Sequence, residues 1–179
     1  MNGQALRESM RHWATGVAVV TSRYLENEHG MTVNSFSSVS LEPPLVMVAL
    51  AQDSRTCAMV SQSGIFGVTI LAPSQRHISD RFAGRDAKNQ NRFDGIDTLR
   101  LVSGAPFIAG GLAFLDCRVS ETYQIATHTL FLGQVVEIHI NSEEPGNPLL
   151  YFNRSYQQMA AQGKAIMDIP FSSGIRLER

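Results

Sequence analysis

Small hydroxyl side chains and one amide are concentrated in residues 30–50, GMTVNSFSSVSLEPPLVMVAL. Successive side chains of a strand point to opposite faces, so a strand that buries its apolar residues can offer the other face to a ligand. Here the second face would carry Thr32, Asn34, Ser35, Ser37, Ser38 and Ser40. Such a row can form hydrogen bonds with the edge of a planar polar ligand. The alternative is a strand whose Ser and Thr residues only face solvent.

A second polar group follows the apolar run LVMVAL, which predicts a buried strand. Ser54, Arg55 and Thr56 stand where a helix is predicted to begin, with Asp53 or Ser54 as its N-cap and Gly64 as its end. Two hydroxyls, a guanidinium and the free N–H groups of a first helical turn favour a phosphate or sulfate. An ordinary N-cap beside a solvated arginine is the alternative.

Together the two groups predict a site for a planar, polar ligand that carries a phosphate. The hydroxyl-rich strand would bind the ring edge, and residues 54–56 would bind the phosphate. A flat apolar wall between them would come from Ala49, Leu50 and Ala51, because small side chains there leave room for a ring.

The elements that must position these groups are mostly strands. Residues 16–24 predict a strand, and the turn predicted at residues 27–30 returns the chain antiparallel to it. Further strands are predicted in IFGVTIL, LAFLDCRVSETYQIA, THTLFLGQVVEIHI and PLLYFN. Helical patterns occur at residues 4–13, after Ser54 and from Ser74. Residues 85–105 predict a loop that contains a possible strand, LRLV, and Tyr156 begins a polar tail.

Six to eight strands with two or three short helices predict a mainly β fold. A closed or nearly closed antiparallel barrel with appended helices fits this pattern better than alternating strands and helices. The glycine patterns of Rossmann and P-loop nucleotide sites do not occur in the sequence. A chain of 179 residues is most simply one domain.

Composition narrows the functional classes. The formal net charge is -1, so there is no basic field for nucleic acid. Charged residues are only 17% of the chain, which favours an oligomer that shares apolar surface. Cys57 and Cys117 lack metal-site spacing and predict buried free thiols, so we expect no bound metal. Without a signal-like or membrane-spanning apolar run, we expect a cytoplasmic protein.

Seven segments carry a family resemblance: GVAVVTS, HGMTVNSFSSVSLEPPLVMVAL, SRT, SGIFGVTIL, DRFAG, HTLFLGQVV and PLLYFNRSY. Together they resemble the flavin reductase-like family, and MTVNSFSSVSLEPPLV, within the second segment, is highly specific. The resemblance covers about residues 5–157, with residues 158–179 as a C-terminal tail of the same single domain, 1–179. It implies an FMN-binding split β-barrel that forms a homodimer.

The implied function is an NAD(P)H-dependent flavin reductase. Such an enzyme transfers a hydride from NADH or NADPH to FMN or FAD, and the reduced flavin diffuses to a partner flavin-dependent monooxygenase. Because the cofactors carry this reaction, we expect no general acid or base and a shallow, partly open site. The alternatives are an oxidase of the pyridoxamine-phosphate oxidase type and a non-catalytic flavin- or haem-binding module. Only the reductase would consume NAD(P)H with added free flavin.

The resemblance also implies which residues bind the flavin. Those matching the segment that lines the isoalloxazine and ribityl chain are Thr32, Val33, Asn34, Ser35, Ser38, Val39 and Ser40. The strand against which the flavin lies matches Ala49, Leu50 and Ala51. The phosphate-contacting turn matches Ser54, Arg55 and Thr56. Phe82, in DRFAG, falls where the family places an aromatic residue near the flavin.

On the nicotinamide side, His128 matches a histidine that family members use, and Tyr156 is a further candidate for the same pocket. Many members read Gly-Asp-His at this point, whereas this chain reads Ala126-Thr127-His128. The missing Asp removes a possible orienting partner for the imidazole. A strand histidine with a structural hydrogen bond is the alternative.

Overall fold

The computed structural model describes residues 2–85, 91–142 and 146–159. Its helices are α1 (Gly3–Ser9), α2 (Arg55–Ser63) and α3 (Arg76–Phe82), with 3-10 turns at Met10–His12 and Pro73–Gln75. Its strands are β1 (Thr15–Gly16), β2 (Ala18–Tyr24), β3 (Asn27–Val33), β4 (Phe36–Leu41), β5 (Pro44–Ala51), β6 (Ile65–Ile70), β7 (Thr98–Arg100), β8 (Pro106–Ile108), β9 (Ala113–Ile125), β10 (His128–Ile140), β11 (Leu150–Phe152) and β12 (Ser155–Gln157).

Seven of these strands form one antiparallel sheet in the order β3-β2-β6-β9-β10-β5-β4. The first and last strands of that order are consecutive in the chain, and only Asn34 and Ser35 join them. The three Cα steps from Val33 to Phe36 reach at most about 11 Å. Across a flat sheet, six strand spacings would separate those strands by about 29 Å. The sheet must therefore curl into a barrel, which confirms the predicted antiparallel barrel.

The barrel interior is filled by alternate residues of the long strands. Val20, Val48, Phe66 and Phe131 are all fully buried in its main hydrophobic cluster. On β5, the residues between the buried ones are half-buried, so the LVMVAL run buries one face completely and the other only partly. Cys57 and Cys117 are buried free thiols, as predicted.

The two internal helices follow their sequence signals. The Ser54 hydroxyl caps α2 by accepting a hydrogen bond from the Cys57 backbone N–H at 3.1 Å. Gly64 ends that helix in the left-handed region, with a φ of 68°. Ile78 and Phe82 are the buried face of α3, as their spacing predicted. Among the described residues, no helix is long and apolar enough to cross a membrane.

One turn and one tail boundary assigned from the sequence were wrong. The first hairpin turns at Leu25 and Glu26, and the residues predicted to turn, 27–30, belong to β3. Gly30 pairs with Thr21 of β2 as a strand residue. It is a glycine because its neighbours leave no space for a side chain: an added Cβ would lie 2.9 Å from Thr21 Cγ2. Tyr156 lies in β12 and not in an irregular tail.

The hydroxyl-rich row is also not one strand. β3 ends at Val33, β4 begins at Phe36, and the pairing of β4 with β5 shifts register between Ser38 and Ser40. The tail predicted at 158–179 lies outside the described residues from 160 onwards, as do residues 86–90 of the predicted loop and 143–145 of the turn after β10.

We predict that Gly133→Ala destabilises the barrel by about 1–3 kcal/mol, because the added methyl group would overpack the core. An added Cβ would lie 2.6 Å from Phe66 Cε1 and 3.0 Å from Cys117 Cβ. Gly16→Ala is the matched control, since an added Cβ there meets nothing within 4 Å. Chemical denaturation measures the free energy of unfolding of both variants. Equal stability of the two would contradict this description of the core.

Candidate functional site

The connection that closes the barrel lies against β5. Ser35 Oγ donates a hydrogen bond to the carbonyl oxygen of Ala49 at 2.7 Å. In return, the Ala49 backbone N–H donates to the carbonyl oxygen of Ser35 at 3.3 Å. Asn34, the residue before Ser35, is exposed, and its side chain has no hydrogen-bond partner among the described residues. The fold thus brings residues 32–40, which we call the edge-binding segment, directly beside the predicted apolar wall of residues 49–51.

Several hydroxyls of the edge-binding segment already donate to the backbone. Thr32 Oγ1 donates to the Ser79 carbonyl at 2.7 Å, and Ser37 Oγ donates to the Ser38 carbonyl at 3.1 Å. Their oxygens keep lone pairs, so towards a ligand they would act as acceptors. Ser38 and Val39 are exposed and Ser40 is half-buried on β4.

The wall is formed by Ala49 and Ala51, which are half-buried on the outer face of β5. They pair with Leu130 and His128 of β10, respectively. Leu50 is fully buried, and Val33 nearly so, because their side chains point into the barrel. These two predicted site residues can therefore offer a ligand only their backbone atoms.

At the start of α2, both predicted phosphate-binding hydroxyls are engaged with other groups of the protein. Ser54 Oγ donates to the Ala51 carbonyl at 2.7 Å and caps the helix. Thr56 is buried, and its Oγ1 lies 2.9 Å from Nδ1 of His29. Arg55 is exposed and makes no hydrogen bond or ion pair with any described residue. Of the three side chains, only the guanidinium is free to bind an anion.

Arg55 borders a cleft of about 330 Å³, which we call the cationic cleft. Its lining residues are Glu26, Asn27, Glu28, His29, Arg55, Asn91, Arg92 and Phe93. Arg92 donates from Nη1 to the carbonyl oxygens of Gly30 at 2.7 Å and Phe82 at 2.8 Å. No carboxylate among the described residues pairs with Arg92 or Arg55.

The charges of this cleft act on one another. Burial, and then the Arg55 guanidinium, lower the pKa of Arg92. Burial, followed by the charges of Arg92 and Arg55, lowers the pKa of His29 from 6.5 to about 4. Two close cations without a carboxylate partner are the environment in which a bound anion is stabilised. Sequence reasoning missed Arg92 and His29, because no spacing in the sequence connects either residue with Arg55.

His128 is exposed at the start of β10, on the face opposite the buried Thr129. Its Nδ1 lies 3.0 Å from Thr127 Oγ1, and its carbonyl oxygen accepts a hydrogen bond from Gln52 Nε2 at 3.1 Å. The hydroxyl of Thr127 thus provides the imidazole with the neighbour that the missing Asp would have supplied. Ala126 has a φ of 50°, a left-handed conformation that a glycine would adopt with less strain.

The prediction for Phe82 was wrong in the placement of its ring. The side chain is 0% exposed and packs edge-to-face on Phe93, with ring centroids 5.1 Å apart. A ring without accessible surface cannot stack on a cofactor. The cause is that Phe82 belongs to the apolar face of α3, whose spacing with Ile78 directs both side chains into the core.

Tyr156 comes close to the edge-binding segment. It lines a pocket of about 190 Å³ together with Thr32 and Asn34. Its hydroxyl lies 2.8 Å from Ser79 Oγ and donates to Asp80 Oδ1 at 3.1 Å. Burial raises the pKa of the Tyr156 hydroxyl. His128 is not among the residues that line this pocket, which lies beside β3.

Comparison with known proteins identifies the family. Residues 10–160 match the model of the flavin reductase like domain. The chain is 35% identical, over 87% of its length and 96% of the relative's, to the reductase component of 4-hydroxyphenylacetate 3-monooxygenase from Thermus thermophilus. It is 33% identical to an NADH-dependent flavin reductase from a Rhodococcus species, over 89% of this chain and 88% of that one.

A solved structure agrees with these sequence relatives. It is the NADH:FAD oxidoreductase SgcE6 of Streptomyces globisporus in complex with NAD and FAD fragments. The two folds superpose with a TM-score of 0.82 at 32% identity, over 90% of this chain and 95% of that one. The protein therefore belongs to the flavin reductase-like family.

Proposed function

We propose that this protein is an NADH-dependent flavin reductase that reduces FMN or FAD, with NADPH as the alternative donor. The reduced flavin diffuses to a partner flavin-dependent monooxygenase. Relatives named as NADH-dependent flavin reductases and as reductase components of monooxygenases support this proposal. The observation that carries it is the position of the cationic cleft, which borders the helix that directly follows the small-residue wall of β5.

The described residues fit a flavin. Ala49 and Ala51 would lie against the ring. The backbone of residues 32–35 and the side chains of Thr32, Asn34 and Ser35 would bind its edge. Arg55 and the first-turn N–H groups of α2 would hold the phosphate, with Ser54 serving as the helix cap. Bound flavin supplies the hydride acceptor and the nicotinamide supplies the hydride. The protein contributes orientation and electrostatic stabilisation.

His128 would position the nicotinamide. It pairs with Ala51 across β5 and β10, so its side chain lies on the same outer face as the wall. The Thr127 hydroxyl, 3.0 Å from Nδ1, limits the rotation of the ring. The role is one of contact and orientation, because hydride transfer requires no proton from the imidazole.

We also propose a cytoplasmic homodimer. The apolar residues of the N-terminal helical segment are uncovered in the single chain: Leu6 is 62% exposed and Trp13 is 65% exposed. The paired strands β9 and β10 add exposed Ile125, Ile138 and Ile140. Surfaces of this kind in a monomer favour association.

Light scattering is predicted to give twice the 19.7 kDa mass of one chain at micromolar concentration. The dissociation constant should rise in Trp13→Ser, because less apolar surface would be buried at the interface. Arg7→Ser, on the same segment, is the control and should remain dimeric. A monomeric wild-type protein would contradict the proposed assembly.

The reductase activity is tested by NADH oxidation with added FMN, FAD or riboflavin, followed at 340 nm under air. The proposal expects turnover that depends on free flavin and reduced flavin that can be transferred to a separate oxygenase. Binding of FMN without NADH consumption would favour the non-catalytic alternative.

The phosphate contact predicts that Arg55→Ala weakens FMN binding by about 1–3 kcal/mol, the usual contribution of a charge-assisted hydrogen bond. Riboflavin lacks the phosphate, so its affinity should hardly change. Arg7→Ala removes the same charge from an exposed position on α1 and serves as the control. Fluorescence titration measures the affinities of the wild-type protein and of both variants for FMN and for riboflavin. Equal losses for FMN and riboflavin would assign Arg55 to structural support.

The nicotinamide contact predicts that His128→Ala raises the KM for NADH and slows flavin reduction, while flavin affinity stays unchanged. The expected loss of transition-state binding energy is about 1–2 kcal/mol. Stopped-flow reduction of bound flavin at several NADH concentrations measures this. His139→Ala, at the exposed far end of β10, is the control. A normal reduction rate in His128→Ala would leave His128 with a structural role only.

A further inference from the structure

The side chain of His29 reaches the cationic cleft from β3. Its Nδ1 lies 2.9 Å from Thr56 Oγ1, on the first turn of α2, and that contact fixes the orientation of the ring. The imidazole lines the same cleft as Arg55 and Arg92. Since Nδ1 faces Thr56, Nε2 is the ring nitrogen that remains for a ligand. The Thr56 hydroxyl can donate to Nδ1, which places the proton of the neutral ring on Nε2.

The charges that surround His29 come from three elements. Arg55 approaches from α2 and Arg92 from the segment after residue 90. On β3, the Glu28 carboxylate forms an ion pair with Arg100 and lies 3.9 Å from Arg23.

The other groups near the ring are distant or neutral. Glu26, in the hairpin turn, is 94% exposed and lies near Arg23 at 3.6 Å. Across β2 the residue that pairs with His29 is the neutral Ser22. The thiol of Cys57, on α2, is buried in the barrel core. Within residues 2–85, 91–142 and 146–159, the two guanidiniums are therefore the charges that act on the imidazole without a carboxylate partner of their own.

We propose that His29 is a third anion-binding group of the cationic cleft, and that it takes up a proton when the phosphate of FMN binds there. This inference rests on the proposed function, which places the flavin phosphate beside Arg55. A phosphate dianion would offset the two positive charges that, after burial, keep the imidazole neutral. Nε2–H would donate to a phosphate oxygen, and Nδ1 would receive a proton from the buffer and donate to Thr56 Oγ1.

The sign of the pH dependence follows from linkage. Free His29 is neutral at neutral pH, because burial and the charges of Arg92 and Arg55 lower its pKa to about 4. If the bound phosphate raises this pKa, the complex holds more protons than the free protein, so FMN affinity increases as the pH falls. The increase ends near the phosphate's own second pKa, about 6, where the dianion is lost. Riboflavin affinity should stay constant over the same range.

The test is the titration of the His29 ring nitrogens by NMR between pH 5 and 8, in protein alone and with saturating inorganic phosphate, FMN or riboflavin. Phosphate and FMN should bring the titration into this range, whereas riboflavin should leave the ring neutral. Calorimetry of FMN binding in two buffers of different ionisation enthalpy should show proton uptake, and riboflavin binding should show none. An unchanged His29 ring with FMN bound would overturn the proposal.

His29→Gln adds a second measurement, since glutamine keeps a hydrogen-bonding side chain but cannot become charged. Its FMN affinity at pH 6.5 should fall about tenfold, with riboflavin unaffected, as expected for a lost charge-assisted hydrogen bond. If only Arg55→Ala weakens FMN binding, the His29 proposal fails and the proposed function stands. If neither variant distinguishes FMN from riboflavin, the phosphate lies elsewhere and both assignments fail. If His29→Gln does not fold, the ring titration of the wild-type protein decides.

Discussion

The two-residue connection of Asn34 and Ser35 is the constraint on which the rest of the structure depends. It joins the two end strands of a seven-stranded order, and a link that short forces the sheet to close. The same link forms reciprocal hydrogen bonds with Ala49. Closure of the barrel therefore places polar edge groups against a small-residue wall without any further element.

The helix after β5, α2, borders the cationic cleft and contributes Arg55 to it. Ser54, three residues after the end of β5, caps α2, and Thr56 links that helix to His29 of β3. Arg92 reaches the same place through the carbonyl oxygens of Gly30 and Phe82. The small side chains on the outer face of β5 are thus followed, at the start of α2, by a cleft whose two cations pair with no carboxylate among the described residues. A flavin nucleotide has the matching polarity, because its ring of low charge is joined to an anionic phosphate.

Local signals in the sequence predicted the elements that short-range chemistry controls. The Ser54 cap, the Gly64 end of α2 and the alternation in β10 all depend on near neighbours in the chain. Gly30 was assigned to a turn because its reason for being glycine, contact with Thr21 and Phe82, is a tertiary one. Arg92 and His29 were not predicted as site residues for the same reason, because only tertiary structure brings them to Arg55. The resemblance placed Phe82 near the flavin, whereas its ring is buried. The strand that carries Ala49 and Ala51 and the start of the helix at Arg55 could be predicted from the sequence, whereas the charge balance of the cleft could not.

The most direct test of the central claim, that one flavin spans the wall and the cationic cleft, is a structure of the protein with FMN bound. We predict that the ring lies against Ala49 and Ala51, and that the phosphate lies within hydrogen-bonding distance of the Arg55 guanidinium. A phosphate bound outside the cleft, or a ring that leaves the outer face of β5 uncovered, would contradict it.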